Sequence, residues 1–255
     1  MSWQCAIRTL GDLFLERRCP VCGRVLLRHE GRLCLSCTSD LPRTYFWTLP
    51  RNPMADRFNA RLAGREGVVG RERYVYAAAL FYYRSEAGFD AIPKALKYHA
   101  DFFMGQHYAR ELGRCLGGAG VFRDVTAVIP VPLHPWRWWR RGYNQAAVIA
   151  RCVAAALGGV PVRTDLLRRR RYTRTQTRLT REQKERNVAG AFVPTRRARK
   201  HSAALLSNAE TRRGAHLLLV DDVFTTGATL RSCYHVLHAL FPSARISIAT
   251  LAVVL

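Results

Sequence analysis

A chain of 255 residues with 49% hydrophobic and 10% aromatic content can fill a packed core, which excludes global disorder. Its length suits one large domain, or a domain of about 200 residues with a small appendage. Lys and Arg number 41 against 18 Asp and Glu, and this charge of +23 excludes the near-neutral balance of an ordinary cytosolic enzyme; it implies polyanionic company, namely nucleic acid, phosphorylated substrates or an anionic membrane.

At the N-terminus, Arg8, Asp12, Glu16, Arg17 and Arg18 interrupt the apolar residues, which does not fit a signal peptide. No stretch approaches the roughly 20 apolar residues of a membrane span, so a cytoplasmic, reducing location is expected, where disulfides are improbable. Eight cysteines then need another explanation. Cys19, Cys22, Cys34 and Cys37 form C-x2-C-x11-C-x2-C. Two residues between thiols let one tight turn aim both sulfurs at a point, and two such turns make a closed four-cysteine site for a structural Zn2+. Cys5, Cys115, Cys152 and Cys233 stand singly among apolar residues and read as core filler.

A stretch punctuated by Pro42, Pro50 and Pro53 runs from Thr38 to about Gly70. The organisation expected is an N-terminal segment with the ribbon over residues 1–45, a linker over 46–72 and a main domain over 73–255. In that domain, 74–83 reads as a strand and 87–116 as helical, with a break near 100–103. Residues 125–129 read as a buried strand, 144–157 as a helix, and the surroundings of Val162 as a short strand. Residues 191–193, 216–220 and 245–254 follow as strands, 228–240 as a helix, and the polar 196–213 as a loop. Strands alternating with helices predict an α/β fold with a mostly parallel sheet flanked by helices.

The sharpest pattern is an apolar strand, Leu217 to Val220, ending in Asp221 and Asp222 and followed by Val223, Phe224, Thr225, Thr226, Gly227, Ala228 and Thr229. Ligands of open α/β sheets bind at the carboxyl ends of strands. The threonine hydroxyls and the amides around Gly227 form a phosphate cradle where a helix starts. Asp221 and Asp222 suit vicinal sugar hydroxyls or a hydrated Mg2+ beside a phosphate. Together they describe a pocket for ribose 5-phosphate.

The stretch from Leu217 to Thr229 resembles the loop of type I phosphoribosyltransferases that binds 5-phosphoribosyl 1-diphosphate (PRPP). Ile129 to Pro135 leading to Arg141-Gly142-Tyr143-Asn144-Gln145, Gln176 to Thr180, and Arg186-Asn187-Val188-Ala189-Gly190-Ala191-Phe192 narrow the resemblance to the ComF family. These competence-associated, phosphoribosyltransferase-like proteins are also called ComFC or GntX-like. Ala95 to Tyr98 and the four-cysteine ribbon fit the same pattern. The resemblance implies a type I phosphoribosyltransferase-like fold with a five-stranded parallel sheet, a small hood or insertion, and PRPP with Mg2+ as ligands. It implies a part in DNA uptake during natural transformation, with single-stranded DNA and a competence helicase as partners. By the same resemblance Arg140, Arg141, Asn144 and Gln145 lie where pyrophosphate binds. The basic segment 168–186, at +7, takes the place of the loop that closes over PRPP, with Arg186 and Asn187 as its best contacts.

Two readings stay open at this level. Arg141 to Gln145 also reads as a turn and helix cap. Trp136, Trp138 and Trp139, interleaved with Arg137 and Arg140, suit either stacking on single-stranded nucleic acid or clamping onto the ribbon. Two function classes follow: a phosphoribosyltransferase of unnamed acceptor, or a non-catalytic DNA-binding or helicase-partner module on the same scaffold.

Overall fold

The computed structural model describes residues 16–63, 74–84, 86–98, 102–170, 190–205 and 214–255. Its elements in chain order are α1 (Leu35–Ser39), a 3-10 turn (Phe46–Thr48), α2 (Pro53–Ala63), β1 (Ala77–Tyr82), α3 (Ala91–Tyr98), α4 (Phe102–Gly117), β2 (Ala127–Pro130), α5 (Pro135–Arg141), α6 (Gln145–Ala156), β3 (Leu167–Arg169), β4 (Phe192–Pro194), α7 (Arg196–Leu205), β5 (His216–Phe224), α8 (Ala228–Leu240) and β6 (Arg245–Val253). Four strands form a parallel sheet in the order β1-β6-β5-β2, with Leu217 opposite both Ala127 and Ile246. The apolar runs of β5 and β6 are buried, as strands covered on both faces must be. Helices α4 and α6 cover one face and α2 and α8 the other. Helices α4 and α6 approach closely at Gly113, where a Cβ would sit 2.7 Å from the Ala156 methyl. The expected α/β class with a parallel sheet is found.

Several local expectations are revised. The fifth strand near Val162 is reduced to one parallel bridge to Val128, flanked by Val128 N–H to Pro161 O and Arg163 N–H to Val128 O, each 2.9 Å. Pro161 has no N–H to extend that ladder. Phe192–Pro194 does not join the main sheet; it pairs antiparallel with β3. Residues 196–205, expected as loop, form α7: Thr195 caps it by accepting the Ala198 N–H at 3.0 Å, and Ala198 is its buried anchor. The helical stretch expected over 87–116 is divided into α3 and α4, and residues 99–101 lie outside the described set.

The stretch expected as a linker carries α2 and is stitched to β1. Pro42 O accepts the Tyr82 N–H at 2.8 Å and Leu80 O accepts the Thr44 N–H at 3.1 Å, so residues 42–44 cover the outer edge of β1. Buried Asn52 accepts the Ala55 N–H at 3.0 Å, capping α2, and donates to Ala77 O at 2.9 Å. Asn59 exchanges two hydrogen bonds with the Val75 backbone, at 2.9 and 3.0 Å. Met54, Ala55, Phe58 and Leu62 are buried in the core that also holds Cys19, Leu33, Cys34 and Cys37. One hydrophobic core therefore runs from the cysteine ribbon to β6.

Candidate functional site

At the N-terminal end, the four expected sulfurs converge. Those of Cys19, Cys22, Cys34 and Cys37 all lie within 4.8 Å of one another, and Cys22 and Cys34 are 3.7 Å apart. Tetrahedral Zn–S bonds of ~2.3 Å imply sulfur separations of about 3.8 Å, so this cluster is able to hold a zinc ion. Gly23 takes φ 75° to close the first knuckle, donating to Cys19 O at 2.7 Å. In the second, the Cys37 N–H reaches the Cys34 sulfur at 3.4 Å. That N–H leads the contacts that hold the Cys34 thiol down at about 6 against the opposing effect of burial, whereas burial and then the neighbouring sulfurs push the Cys37 thiol up, so without a metal the negative charge gathers on Cys34. Buried Glu30 braces the ribbon, accepting the Leu27 and Leu35 N–H groups at 2.8 and 2.7 Å, and these hold its carboxyl below the ordinary range. An Arg43–Glu111 ion pair ties the ribbon's exit to α4. Of the other cysteines, Cys152 and Cys233 are buried and Cys115 packs on the core, as filler would; Cys5 lies outside the described residues.

At the carboxyl end of the sheet, β5 continues through both acids to Phe224. Asp221 is half-buried and Asp222 is 7% exposed. One oxygen of each carboxylate is fixed by the backbone: Asp221 Oδ1 accepts the Asp222 N–H and Asp222 Oδ1 the Val223 N–H, both at 2.9 Å. The chain then turns through exposed Thr225 and half-buried Thr226 into Gly227, which starts α8 at φ 72°; Ala228 is buried and Thr229 half-buried in its first turn. A Cβ on Gly227 would meet the Phe224 ring at 2.8 Å, so only glycine fits this turn. Thr226 Oγ1 accepts the Ala228 N–H at 3.4 Å, and Arg61 of α2 donates to Thr226 O. The threonines and helix start thus lie behind the two acids, in the arrangement expected from the sequence.

The neighbouring strand end brings in the second segment. Val131 donates its N–H to Val220 O at 2.9 Å, immediately before Asp221. Asn144 returns to this point: its Nδ2 donates to Val131 O at 3.0 Å while its Oδ1 accepts the Ala146 N–H at 3.1 Å, capping α6. Gln145 is buried and accepts from Arg141 at 3.1 Å, and Arg140 lies over the Trp136 ring at 5.7 Å. Asn144 thus caps α6, and Gln145 is buried beside Arg141. Arg186 and Asn187, with most of the 168–186 segment, lie outside the described residues; the β3–β4 pair that flanks this segment is described.

Two further arginines act electrostatically in this region, Arg169 of the basic segment and Arg137 from among the tryptophans. Arg169 on β3 lies over the Phe192 ring at 5.3 Å. Burial, and then the charge of Arg137 on α5, push its guanidinium below the ordinary range, and Asp221 opposes them. His134, at the start of α5, is likewise held low by burial and by Arg169 and Arg137. Nothing local in the sequence relates these two cations, which lie more than thirty positions apart. Trp136, Trp138 and Trp139 are 46%, 55% and 77% exposed, and α5 buries no residue. That exposure argues against the clamping alternative. Among the described residues, no helix is long and apolar enough to cross a membrane.

Comparisons with known proteins agree with this architecture. Residues 143–254 match the family described as phosphoribosyl transferase domain. The chain is 36% identical over 114 residues to Competence protein F of Haemophilus influenzae, an alignment covering 45% of this chain and 44% of that protein. It is 32% identical over 106 residues to DNA utilization protein YhgH of Salmonella typhi, and 30% identical over the same length to the Escherichia coli K12 protein of that name, covering 40% of this chain and 39% of each. The chain therefore spans less than half the length of the curated relatives it matches. The resemblance to competence-associated, phosphoribosyltransferase-like proteins, read first from the sequence, is found.

Proposed function

We propose that this phosphoribosyltransferase-like chain binds PRPP or ribose 5-phosphate with Mg2+ at the end of β5 and serves DNA uptake in natural transformation. The observation that carries the pocket is the backbone-fixed pair Asp221 and Asp222, followed at once by the Gly227 turn and the start of α8. In this reading the two carboxylates accept the ribose hydroxyls. The amides and hydroxyls of Thr225 to Thr229 cradle the 5-phosphate at the positive end of α8. Mg2+ would sit with the diphosphate beside these acids and offset its charge; paired hard oxygen donors suit that ion. If the pocket turns over, an acceptor attacks C1 of the ribose, the C1–O bond to pyrophosphate breaks, and neighbouring cations stabilise the departing charge.

The role in DNA uptake is supported by the names of the relatives and by the charge of +23. A second reading, a single-stranded DNA or helicase-partner module whose pocket is only a scaffold, is favoured by the three exposed tryptophans of α5. The cysteine cluster is read as a structural zinc site in both. Calorimetric titration with PRPP and Mg2+ separates them. Binding that disappears when Asp221 and Asp222 are both changed to Asn supports the ligand site, and an equal affinity in that variant removes it.

A further inference from the structure

The segment read from the sequence as a linker carries a helix, α2, that touches the turn behind the acids. Its buried face places Phe58 5.9 Å from the Tyr234 ring of α8 and 6.5 Å from the ring of Phe224, the last residue of β5. A Cβ on Gly227 would lie 3.5 Å from the Phe58 ring. Two half-buried arginines one turn apart extend from this helix to backbone carbonyls. Arg57 donates to Val254 O at 2.8 Å, just past β6, and Arg61 donates to Thr226 O in the turn itself. Asn52 and Asn59, bonded to Ala77 and Val75, fasten α2 to β1, so both arginines reach out from a fixed base.

The carbonyl that Arg61 engages belongs to the Thr226–Gly227 peptide. In a planar trans peptide the C=O and N–H point in opposite directions. With Thr226 O held toward α2, the Gly227 N–H is aimed away from that helix. In the sheet order β1-β6-β5-β2, α2 comes to β5 from the β1 side, while Val131 and Asn144 lie on the β2 side, where Val131 bonds to Val220 just before Asp221. The same peptide is the one that turns over most readily. Gly227, at φ 72° and ψ 3°, has the values of the second central residue of a type II turn, and flipping the peptide before it gives type I. Glycine accepts either form, having no Cβ. The flipped peptide would present Thr226 O in place of the N–H, and a carbonyl dipole repels a phosphate that an amide binds.

We infer that Arg61 is a positioning residue for the phosphate cradle: by binding Thr226 O it holds the Thr226–Gly227 peptide with its amide turned toward the 5-phosphate of a ribose ligand. This deepens the pocket reading given above and rests on it. Helix α2 thereby belongs to the ligand site without touching the ligand, and what it adds is preference for a phosphorylated pentose.

The test is calorimetric titration of ribose 5-phosphate into the unchanged chain and into Arg61→Met, Arg61→Lys and Arg57→Met, with melting temperatures measured alongside. Methionine keeps an aliphatic stem and removes the donors, whereas lysine restores a donor for the carbonyl. Arg61→Met is expected to raise the Kd roughly tenfold, as loss of one hydrogen bond to a charged group does, with Arg61→Lys within about twofold of the unchanged chain and Arg57→Met no different from it. The loss in Arg61→Met should persist at about 0.5 M salt, where attraction through space is largely screened. A matching loss in Arg57→Met, or one that vanishes in salt, overturns the inference, because helix charge then suffices. Equal losses of affinity in Arg61→Met and Arg61→Lys, with equal falls in melting temperature, overturn it in favour of packing. An unchanged Kd in Arg61→Met overturns it while ribose 5-phosphate binding leaves the pocket standing. No binding of ribose 5-phosphate by the unchanged chain overturns the pocket reading and this inference together.

Discussion

Replacing Gly227 by Ala tests the turn that joins the acids to α8. Two costs are separable. The first is conformational: φ is 72°, and an L-residue in the left-handed region loses roughly 1–2 kcal/mol relative to glycine. The second is steric: the new Cβ would lie 2.8 and 2.9 Å from two atoms of the Phe224 ring. That ring is fully buried and Phe58 stands 6.5 Å from it, centroid to centroid, so a shift disturbs the core between α2 and β5. Overpacking of this kind costs about 1–3 kcal/mol. The sum is about 2–5 kcal/mol of unfolding free energy. Gly214 is the control, with φ +73° and nothing within 4 Å of its virtual Cβ, so Gly214→Ala carries the conformational cost alone. Urea denaturation of both variants, with PRPP binding measured on the folded protein, gives the comparison. Equal destabilisation by the two substitutions would refute the close packing of Phe224 beneath the turn.

Cys34→Ser should lower zinc content from one ion per chain toward none and reduce the melting temperature of the whole chain, because the ribbon shares the sheet's core; metal analysis with calorimetry checks it, and an unchanged melting transition contradicts it. Changing Asp221 and Asp222 together to Asn should abolish PRPP binding while the far-UV circular dichroism is retained, whereas Thr225→Ala or Thr229→Ala should each weaken binding by ~1–3 kcal/mol, as loss of one hydrogen bond to a charged phosphate does. Trp138→Ala and Trp139→Ala should leave stability within about 0.5 kcal/mol, since both side chains are exposed. The same changes should weaken oligonucleotide binding by ~1–3 kcal/mol for each base unstacked. His216 is buried between Asp124 and Ser247, 3.0 and 2.8 Å from its ring nitrogens, and burial followed by Arg245 holds its imidazole down at about 4 despite Asp124. Its folded value lies below the unfolded one near 6.5, so its contribution is intact above about pH 6.5 and declines by up to ~1.4 kcal/mol per pH unit as pH falls toward 4. Urea stabilities across that window should show the slope, and a flat profile would count against a neutral, buried His216.

What the sequence by itself determined is what short-range geometry writes. Two-residue spacings between Cys19 and Cys22 and between Cys34 and Cys37 are enough to define two knuckles, and the four sulfurs do converge. A run of apolar residues closed by Asp221 and Asp222, then threonines and Gly227, defines a strand end, a turn and a helix start within thirteen positions, and β5 and α8 follow it. Tertiary structure decided the rest. Asn52 and Asn59 make α2 an integral layer through bonds to Ala77 and Val75, which no local propensity announces. Asn144 could have faced a ligand or capped a helix; the backbone of Val131, thirteen residues away, claimed its amide. The charge of Arg137 on α5 acts on Arg169 on β3, more than thirty positions along the chain, and the indoles of α5 stayed exposed because nothing described packs over that stub. Local patterns fix which conformation a segment adopts, since φ/ψ preference and hydrophobic period act within a few residues. Which charges meet, and which aromatic faces stay wet, depends on burial between segments far apart in the chain, and that is settled only when the sheet closes its core.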